Sequence, residues 1–438
     1  MNIVIIGTGY VGLVAGLGYA KLGNKVACVD IDQAKIAKLD MGEAPFFEPE
    51  ISDLLSELQQ IGSIVFTTDL GSVLSDAEVV MIAVGTPSTA NGDANLTYIF
   101  DAADKIGSLI DHEIIIATKS TVPVGTNRRI IECVRAAMDN AGRSDLTDLI
   151  QIASLPEFLR EGSALNDFFF PDRIVIGTED EIVRTLLDNL HEGIQAPRVF
   201  MGLESAELTK YASNAFLATK ISFINEIANI AERVGADVQE VANAIGMDQR
   251  IAPDFLRAGI GYGGSCFPKD VSALHQIAGT SGYGFKLLSA VIEVNNSQRE
   301  LFLRKIENKL GGFKGRNIAV WGLAFKNGTD DVRESIAIDL VQRIFARGAE
   351  VKVYDPQAMD NAKKLLHEKV QFAQTAIDAA SGAEALIILT EWPEFRDVSI
   401  ETLFNQMIEP RIFDGKNLLA DKHLERYGFE YYGIGINR

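Results

Sequence analysis

The sequence predicts an α/β protein with two Rossmann-like doubly wound domains joined by a long central helix. Short apolar strands alternate with helical patterns along most of the 438 residues, which is typical of a parallel sheet covered by helices. A glycine-bearing turn follows an apolar strand twice, at Gly7 and again at Gly322. Between these turns, Glu204 to Val234 forms one uninterrupted helical pattern. At about 150 residues per domain, this length allows two or three domains.

The amino-terminal segment has the full pattern of a dinucleotide-binding unit. The apolar strand Ile3–Ile6 runs into Gly7-Thr-Gly-Tyr-Val-Gly12, a helix follows to Leu22, and a second strand, Lys25–Val29, ends in Asp30. The first glycine makes the tight turn, the second lets a pyrophosphate approach, and the third allows helix and strand to pack, while the acid binds ribose hydroxyls. A carboxylate repels a 2′-phosphate, so the pattern predicts NAD rather than NADP.

Polar turns follow two of the next predicted strands. Those strands are Ile64–Thr67, Val79–Val84, Ile114–Thr118 and Ile150–Ser154. Ligands bind outside the carboxyl ends of the strands in such sheets, so Thr86 and Thr121 are candidates to line a cofactor cleft. Their position alone supports an ordinary cap or turn role almost equally well.

The long helical pattern, Glu204 to Val234, is apolar on nearly every side. Such a helix is expected to be buried, either as a connector between domains or as the core of a dimer. Lys210 and Asn214 are four residues apart and share a face. A lysine here is expected to face a polar cleft, with extension of its side chain to the surface as the alternative.

Cys266 lies in a glycine-dense loop, Gly261-Tyr-Gly-Gly-Ser-Cys-Phe-Pro-Lys-Asp270. Pro268 suits the first position of a helix. The helix amino terminus and Lys269 both favour a thiolate, and Asp270 lies about one turn away. The pattern indicates a reactive nucleophile, and we expect the glycines to allow close approach of a ligand. A structural role is the default for a cysteine; we expect that role for Cys28 and Cys133.

A second glycine-bearing unit begins near Gly315. Its strand Asn317–Trp321, turn Gly322–Gly328 and helix from Glu334 to Ala346 are followed by strands at Glu350–Tyr354, Ala385–Leu389 and Arg411–Phe413. The glycine pattern is incomplete, so this unit either binds a nucleotide other than NAD or serves as scaffold. Lys326 and Arg333 favour binding of an anion.

Composition narrows the possible partners. The net charge of −19 argues against nucleic acid and anionic membranes. Residues 1–20 are uncharged, but they lack a basic segment and a glycine-rich turn interrupts them, so neither a signal peptide nor a membrane span is expected. Three cysteines in so long a chain fit a reducing compartment, and we expect a cytoplasmic protein. The five histidines are isolated, so no metal site is expected.

The chain as a whole resembles the bacterial UDP-glucose 6-dehydrogenases of the UDP-glucose/GDP-mannose dehydrogenase family. The resemblance is strongest at Pro156–Gly162, Lys210–Phe216, Gly263–Asp270 and Phe325–Ser335. It implies NAD as cofactor, UDP-glucose as substrate, UDP-glucuronate as product, and a homodimer formed through the central helix. It assigns residues 1–200 to an NAD-binding domain, 201–300 to a central helical dimerisation domain, and 301–438 to a UDP-sugar-binding domain.

The resemblance also implies a role for each site residue. Cys266 is similar to the nucleophile that forms a thiohemiacetal and then a thioester, Lys210 and Asn214 to the oxyanion-stabilising groups, and Glu157 to a general base for hydrolysis. Asp270 and Thr121 are similar to a pair that orders a water. The implied cofactor contacts are Gly7, Gly9, Tyr10, Val11, Gly12, Asp30, Lys35, Thr86, Thr121, Glu161, Lys269 and Arg333. The implied substrate contacts are Glu157, Phe158, Leu159, Lys210, Asn214, Phe255, Leu256, Arg257, Ala258, Gly259, Gly263 and Lys326, with Arg250 reaching the substrate of the partner subunit.

Three other functions stay open at this stage. A GDP-mannose dehydrogenase shares the scaffold and the cysteine, whereas relatives acting on N-acetylhexosamines carry histidine where this chain has Ser265. A dinucleotide-sensing protein without catalysis would retain the fold but would not need Cys266, Lys210, Asn214, Asp270 and Glu157. A simple two-electron hydroxyacid dehydrogenase would not need the cysteine.

Overall fold

A computed structural model describes residues 1–89 and 91–436 of the chain. The chain divides into two compact units, of which the first comprises Met1–Ser213 and Ser272–Ser281. The second comprises Asn214–Val271 and the chain from Gly282 onward.

The first unit is a doubly wound sheet with its helices on both faces. Its strands are β1 (Asn2–Ile6), β2 (Lys25–Val29), β3 (Ile64–Thr67), β4 (Val79–Ile82), β5 (Ile114–Thr118), β6 (Ile150–Ser154), β7 (Ile174–Gly177) and β8 (Arg198–Met201). Its helices are α1 (Tyr10–Lys21), α2 (Gln33–Asp40), α3 (Ile51–Gln60), α4 (Gly71–Leu74), α5 (Thr97–Leu109), α6 (Thr126–Asn140), α7 (Ala164–Phe169) and α8 (Glu181–Leu190), with a 3₁₀ helix at Ser144–Leu149.

The order of this sheet is β3-β2-β1-β4-β5-β6-β7-β8. The first part of that order is the parallel 3-2-1-4-5-6 arrangement of dinucleotide-binding folds. Strand β7 joins β6 in the antiparallel sense through Ser154 and Gly177, and β8 runs parallel to β7. Alternate residues of β1 pack into two separate cores, Ile3 and Ile5 into one and Val4 into the other, because side chains alternate across a strand.

Four helices lie between the two sheets in the sequence. They are α9 (Leu203–Val234), α10 (Val238–Gly246), α11 (Phe267–Thr280) and α12 (Lys286–Leu310). Helix α9 belongs to the first unit as far as Ser213 and to the second from Asn214.

The second unit repeats the topology of the first. Its strands are β9 (Asn317–Trp321), β10 (Glu350–Tyr354), β11 (Gln371–Phe372), β12 (Ala385–Ile388), β13 (Arg411–Asp414) and β14 (Glu430–Tyr432). Their order, β11-β10-β9-β12-β13-β14, is again 3-2-1-4-5-6, and each neighbouring pair is parallel. The helices around this sheet are α13 (Ile336–Ala346), α14 (Met359–Lys363), α15 (Ala376–Ala380), α16 (Pro393–Asp397) and α17 (Ile400–Gln406), with 3₁₀ helices at Ala420–Lys422 and Leu424–Tyr427. The two sheets confirm the predicted fold class.

The structure corrects several predicted elements. Strand β4 ends at Ile82, so Val84 lies in the polar turn, and helix α13 begins at Ile336, not at Glu334. Glu334 has a left-handed φ of 50°, which a right-handed helix excludes. Pro268 is the second residue of α11, not the first.

Helix α9 is not buried on every side within this chain. Phe216 is 67% exposed, Phe223 52% and Ile230 54%. These three side chains recur every seven residues, so they form one apolar stripe along the helix. Other sides of the helix are packed, since Tyr211, Ile224 and other residues of α9 are fully buried.

Candidate active site

The amino-terminal glycine turn has the geometry that a bound pyrophosphate requires. Gly7 adopts φ +102°, which makes the tight turn, and a Cβ at Gly12 would lie 1.8 Å from the carbonyl oxygen of Gly7. A Cβ at Gly9 would meet no atom within 4 Å, so the backbone there is open to a ligand. Tyr10 begins helix α1, whose amino terminus attracts phosphate. These features fit NAD.

Asp30 closes strand β2 and is held by several donors. Its Oδ2 accepts hydrogen bonds from the Thr8 amide at 2.8 Å, the Thr8 hydroxyl at 2.7 Å and Lys35 Nζ at 2.8 Å. Burial alone would raise the pKa of Asp30, but Lys35 and Thr8 lower this pKa to about 2. A fixed negative charge therefore stands at the expected ribose position, with Lys35 beside it.

Thr86 and Thr121 lie on neighbouring loops at the carboxyl ends of β4 and β5. The Thr86 hydroxyl donates to the Thr121 carbonyl oxygen at 2.9 Å. Ser120 ties the same loops together, because its hydroxyl donates to the Val84 carbonyl oxygen at 2.6 Å. The two threonines therefore meet at the edge of the sheet where a ligand is expected, and Thr86 also has the turn role that was the alternative.

Glu157 and Lys210 form a buried ion pair in the first unit. Lys210 Nζ lies 3.3 Å from Glu157 Oε1, and both side chains are less than one-tenth exposed. The other carboxylate oxygen, Oε2, accepts the Leu159 amide at 2.6 Å, so Glu157 also shapes its own turn. Lys210 therefore faces a polar site and does not extend to the surface.

Lys119 was not predicted from the sequence, although it belongs to this cluster. It follows β5 directly and is buried, with Nζ 5.8 Å from the centre of the Tyr19 ring. Burial lowers the pKa of Lys119 to about 8, with Lys210 acting in the same direction and Glu157 opposing both. A lysine that ends an apolar strand was the sequence signal available for it.

The loop after Glu157 carries three more predicted residues. The Arg173 guanidinium, which the sequence did not single out, stacks 3.6 Å from the centre of the Phe158 ring, and Lys210 Nζ lies 5.3 Å from the same centre. Leu159 is partly buried against the core of this unit. Glu161 lies near Tyr10, since its charge helps to raise the pKa of that phenol.

Cys266 is exposed and directly precedes helix α11, whereas Cys28 is buried and Cys133 intermediate. Its Sγ lies 3.7 Å from the Ser265 hydroxyl oxygen. One turn on, Asp270 is only 1% exposed. Its carboxylate accepts Asn214 Nδ2 and Lys269 Nζ, each at 2.6 Å. The second unit therefore brings together Asn214, Lys269 and Asp270 beside the turn that carries the thiol.

The glycines around Cys266 allow close packing of the loop, a role that was not predicted. A Cβ at Gly263 would lie 2.3 Å from the Glu334 carbonyl oxygen, and one at Gly264 would lie 2.6 Å from the Phe325 ring. A Cβ at Gly261 would lie 2.6 Å from Asn295 Oδ1. These glycines let the cysteine loop pack against its own unit; the approach of a ligand to this loop stays a prediction.

Hydrogen bonds from the central helices fix the predicted substrate segment. The Gly259 amide donates to Asn225 Oδ1 at 2.9 Å, and the Gly259 carbonyl oxygen accepts Gln298 Nε2 at 2.9 Å. Phe255 adopts a left-handed φ of 64°. Leu256 and Ala258 are buried, while the Arg257 side chain is exposed.

The remaining predicted cations are near the surface. Arg250 forms a two-pronged contact with Asp248, at 3.0 and 2.6 Å, and its side chain is 88% exposed. Arg333 contacts Asp331 in the same way. Lys326 Nζ lies 5.7 Å from the centre of the Phe325 ring.

Asp355 follows β10 as Asp30 follows β2, but its carboxylate accepts several hydrogen bonds from its own unit. Its Oδ2 accepts the Leu323 amide at 2.7 Å, the Ala324 amide at 3.0 Å and Trp392 Nε1 at 3.0 Å. The carboxylate is 1% exposed. This turn therefore offers no free acid to a ribose, which disfavours NAD at this second site.

Two features are absent from residues 1–89 and 91–436. No cluster of three or more His, Cys, Asp or Glu side chains within these ranges is placed to hold a metal ion. None of the helices described there has the length and apolar character needed to cross a membrane.

Comparison with known proteins gives full-length matches. Three domains of the UDP-glucose/GDP-mannose dehydrogenase family match this chain: the NAD binding domain at residues 1–195, the central domain at 204–297 and the UDP binding domain at 319–421. The UDP-glucose 6-dehydrogenase YwqF of Bacillus subtilis is 46% identical over 435 residues, covering 99% of this chain and 98% of the relative.

Solved structures match as well. A UDP-glucose dehydrogenase from Pyrobaculum islandicum superposes with a TM-score of 0.91 at 36% identity, covering 99% of this chain and 98% of the other. A UDP-D-ManNAc dehydrogenase from Pyrococcus horikoshii gives 0.86 at 27% identity and 99% of both chains. The matching NAD binding domain and the geometry of the glycine turn identify NAD as the cofactor. The chain is a nucleotide-sugar oxidoreductase and belongs to the UDP-glucose/GDP-mannose dehydrogenase family.

Proposed function

We propose that the protein is a UDP-glucose 6-dehydrogenase, which oxidises UDP-glucose to UDP-glucuronate with two NAD and one water. The observation that carries the proposal is the placement of Cys266, exposed before helix α11 beside the buried Asn214–Asp270–Lys269 cluster. Relatives named UDP-glucose 6-dehydrogenase at 40–46% identity support this substrate.

Electron counting explains why a cysteine is needed. Conversion of a primary alcohol to a carboxylate removes four electrons, and NAD, when bound, accepts one hydride per molecule. Addition of the Cys266 thiolate to the intermediate aldehyde gives a thiohemiacetal, which loses the second hydride to become a thioester. Water then displaces the thiolate and releases the acid. The covalent bond retains the aldehyde between the two oxidations.

Other polar residues stabilise the oxyanion, order a water and act as the base. Lys210 and Asn214 supply a cation and an amide donor to the oxyanion of the tetrahedral species, a contribution typically worth about 10²–10³ in rate per donor. Asp270 and Thr121 order a water. Glu157 takes the proton of the hydrolytic water, and such base catalysis contributes about 10²–10⁴.

The ligand-contact assignments form part of the proposal. We assign Asp30, Lys35, Thr86, Glu161, Lys269 and Arg333 to the cofactor, together with the glycine turn. The segment Phe255–Gly259, with Gly263 and Lys326, contacts the nucleotide sugar. Arg250 serves the substrate of a partner subunit; its exposed position is compatible with that role.

We infer that two copies of the chain associate through α9. The exposed stripe of Phe216, Phe223 and Ile230 has the seven-residue spacing that packs against another helix. Analytical ultracentrifugation tests the association: the unmodified protein should sediment as a dimer, and Phe223→Glu should sediment as a monomer. A dimer that persists in Phe223→Glu contradicts this interface.

The domain boundaries and the cellular location stay proposals. Residues 1–200, 201–300 and 301–438 are supported by the three matching family domains. A cytoplasmic location is supported by the three free cysteines.

GDP-mannose is the second candidate substrate because the matching family includes enzymes for both sugars. A panel of UDP-glucose, GDP-mannose and UDP-N-acetylmannosamine, with absorbance of NADH as the readout, separates the candidates. We expect two NADH per UDP-glucose consumed and kcat/KM at least about 100-fold lower for the other sugars, roughly 2.8 kcal/mol. Preference for another sugar contradicts the substrate, and one NADH per sugar contradicts the four-electron reaction. A protein without catalysis forms no NADH with any of them.

A further inference from the structure

Glu48 lies in the loop between α2 and α3, a segment to which the sequence assigned no role. Its side chain is nevertheless 7% exposed. A carboxylate is seldom buried unless donors surround it, because desolvation of the charge is costly. The hydrogen bonds of Glu48 must therefore compensate for the cost of burying its charge.

One carboxylate oxygen of Glu48 joins two separate parts of the first unit. Oε2 accepts the Tyr10 hydroxyl at 2.5 Å and the Gly162 amide at 2.6 Å. Tyr10 is the first residue of helix α1, in the pyrophosphate turn. Gly162 closes the loop that begins at Glu157.

The second oxygen strengthens the connection to that loop. Oε1 accepts the Ala164 amide at 2.7 Å, so the carboxylate also takes a backbone donor at the start of α7. The Tyr10 hydroxyl lies 3.3 Å from the Arg160 carbonyl oxygen, and the Tyr10 ring packs 5.0 Å from the centre of the Phe46 ring. Charge-assisted hydrogen bonds of this kind are stronger than neutral ones.

We propose that Glu48 is a positioning residue, which holds the Glu157–Gly162 loop in register with the pyrophosphate turn through Tyr10. The inference rests on the proposed function, in which that loop supplies the base Glu157 and the cofactor contact Glu161. Glu48 therefore contacts both the cofactor turn and the loop that carries the hydrolytic base. A displacement of about 1 Å at such a loop can lower activity by about 10²-fold.

The kinetic test is a double-mutant cycle of Tyr10→Phe and Glu48→Gln, with the exposed Glu43→Gln of the same loop as control. We expect Glu48→Gln to lower kcat/KM for NAD by about 10²-fold, through both kcat and KM, and Tyr10→Phe to lower it less. The double variant should match Glu48→Gln alone, because both changes break the same contact. Effects that multiply, or a Glu48→Gln variant equal to Glu43→Gln, overturn the proposal.

Amide hydrogen exchange without any ligand tests the loop contact independently of activity. In Glu48→Gln an amide nitrogen replaces one acceptor oxygen, so the Gly162 or the Ala164 amide loses its partner. We expect the peptide covering residues 157–165 to exchange at least about tenfold faster, with Glu43→Gln unchanged and the melting temperature used to exclude global unfolding. Unchanged exchange overturns the proposal even if the wild-type protein proves inactive on UDP-glucose. An inactive wild type with faster loop exchange contradicts the proposed function alone.

Discussion

Glu157 and Lys210 are an ion pair with 3.3 Å between Oε1 and Nζ, although one lies in the loop after β6 and the other in the long helix α9. Both side chains are buried, so removal of either partner leaves a buried charge without this contact. In the proposed mechanism the lysine stabilises the oxyanion and the glutamate activates water. The pair therefore keeps two catalytic groups in fixed positions before substrate arrives.

Replacement of Lys210 tests the oxyanion role. Lys210→Met keeps the length of the side chain but removes the cation, and we expect kcat to fall by about 10²–10³ with a smaller change in KM. Lys38→Met, at an exposed position of α2, is the control and should match wild type. Steady-state kinetics with UDP-glucose measures both. A variant whose KM alone rises would show a binding role.

Asp30 should set the choice of cofactor. In Asp30→Ala the repulsion of a 2′-phosphate is removed, and Lys35, now 2.8 Å from an empty carboxylate position, becomes available to the phosphate. We expect the ratio of kcat/KM for NAD over NADP to fall by about 100-fold, about 2.8 kcal/mol at 1.4 kcal/mol per tenfold. An unchanged ratio would mean that other residues exclude NADP.

Gly263→Ala tests whether packing of the cysteine loop contributes to stability and to the reactivity of Cys266. The new methyl group would lie 2.3 Å from the Glu334 carbonyl oxygen, so the backbone must move. We expect a loss of stability of about 1–3 kcal/mol and a lower rate of Cys266 alkylation by iodoacetamide. Gly279→Ala in α11 has open space around its Cβ and should gain up to about 1 kcal/mol in the free energy of unfolding. Equal behaviour of the two variants contradicts the packing explanation.

His191 should make the protein sensitive to mild acid. Burial is the main reason that its pKa falls to about 3, and Lys119 adds to the shift. A base with a lowered folded pKa contributes full stability above its unfolded pKa, about 6.5, and this stability is lost as the pH falls towards 3. At pH 5 the loss, relative to a pH well above 6.5, amounts to about 2 kcal/mol, at 1.36 kcal/mol per pH unit.

The variant His191→Gln can still pair with the Tyr19 hydroxyl and the Leu187 carbonyl oxygen, the present partners at 2.9 and 2.7 Å. It cannot titrate. Calorimetry from pH 7.5 to 5 should therefore show a smaller fall of melting temperature than in wild type. Parallel pH profiles for the two proteins would assign the acid sensitivity to other groups.

The sequence predicted those parts of the fold that repeat a local pattern. Strands Lys25–Val29 and Glu350–Tyr354 have the predicted bounds. The first contains a short apolar run, the second alternates valine with charged residues, and an acid follows each. Strands β7 and β8 were missed. The apolar part of each strand is only three residues long, and Val199 and Phe200 in β8 are exposed. The antiparallel join of β6 to β7 is a tertiary feature without a local signal.

The residues of the candidate site likewise divide into those with a local sequence pattern and those without one. Cys266, Lys210 and Glu157 were identified because their motifs are contiguous in sequence. Lys119 was not, although it ends an apolar strand, and Glu48 was not, since the burial of its charge is recognisable only from the groups that surround it in three dimensions. The glycines of the cysteine loop were identified, but their packing role was not predicted, because the atoms filling the space of their Cβ atoms come from distant residues such as Phe325 and Glu334.

The measurement that decides the covalent four-electron mechanism is a single-turnover experiment on Glu157→Gln. Both hydride transfers precede hydrolysis, so mixing this variant with UDP-glucose and NAD should give a burst of about two NADH per active site, followed by near-silence. Intact-protein mass spectrometry should then show the sugar nucleotide attached, and peptide mapping should place it on Cys266. Cys266→Ala, the control, should show no adduct and no UDP-glucuronate. Steady but reduced turnover of Glu157→Gln with an unmodified Cys266 would remove Glu157 from the base role, and UDP-glucuronate formed by Cys266→Ala at near wild-type rate would contradict the covalent mechanism itself.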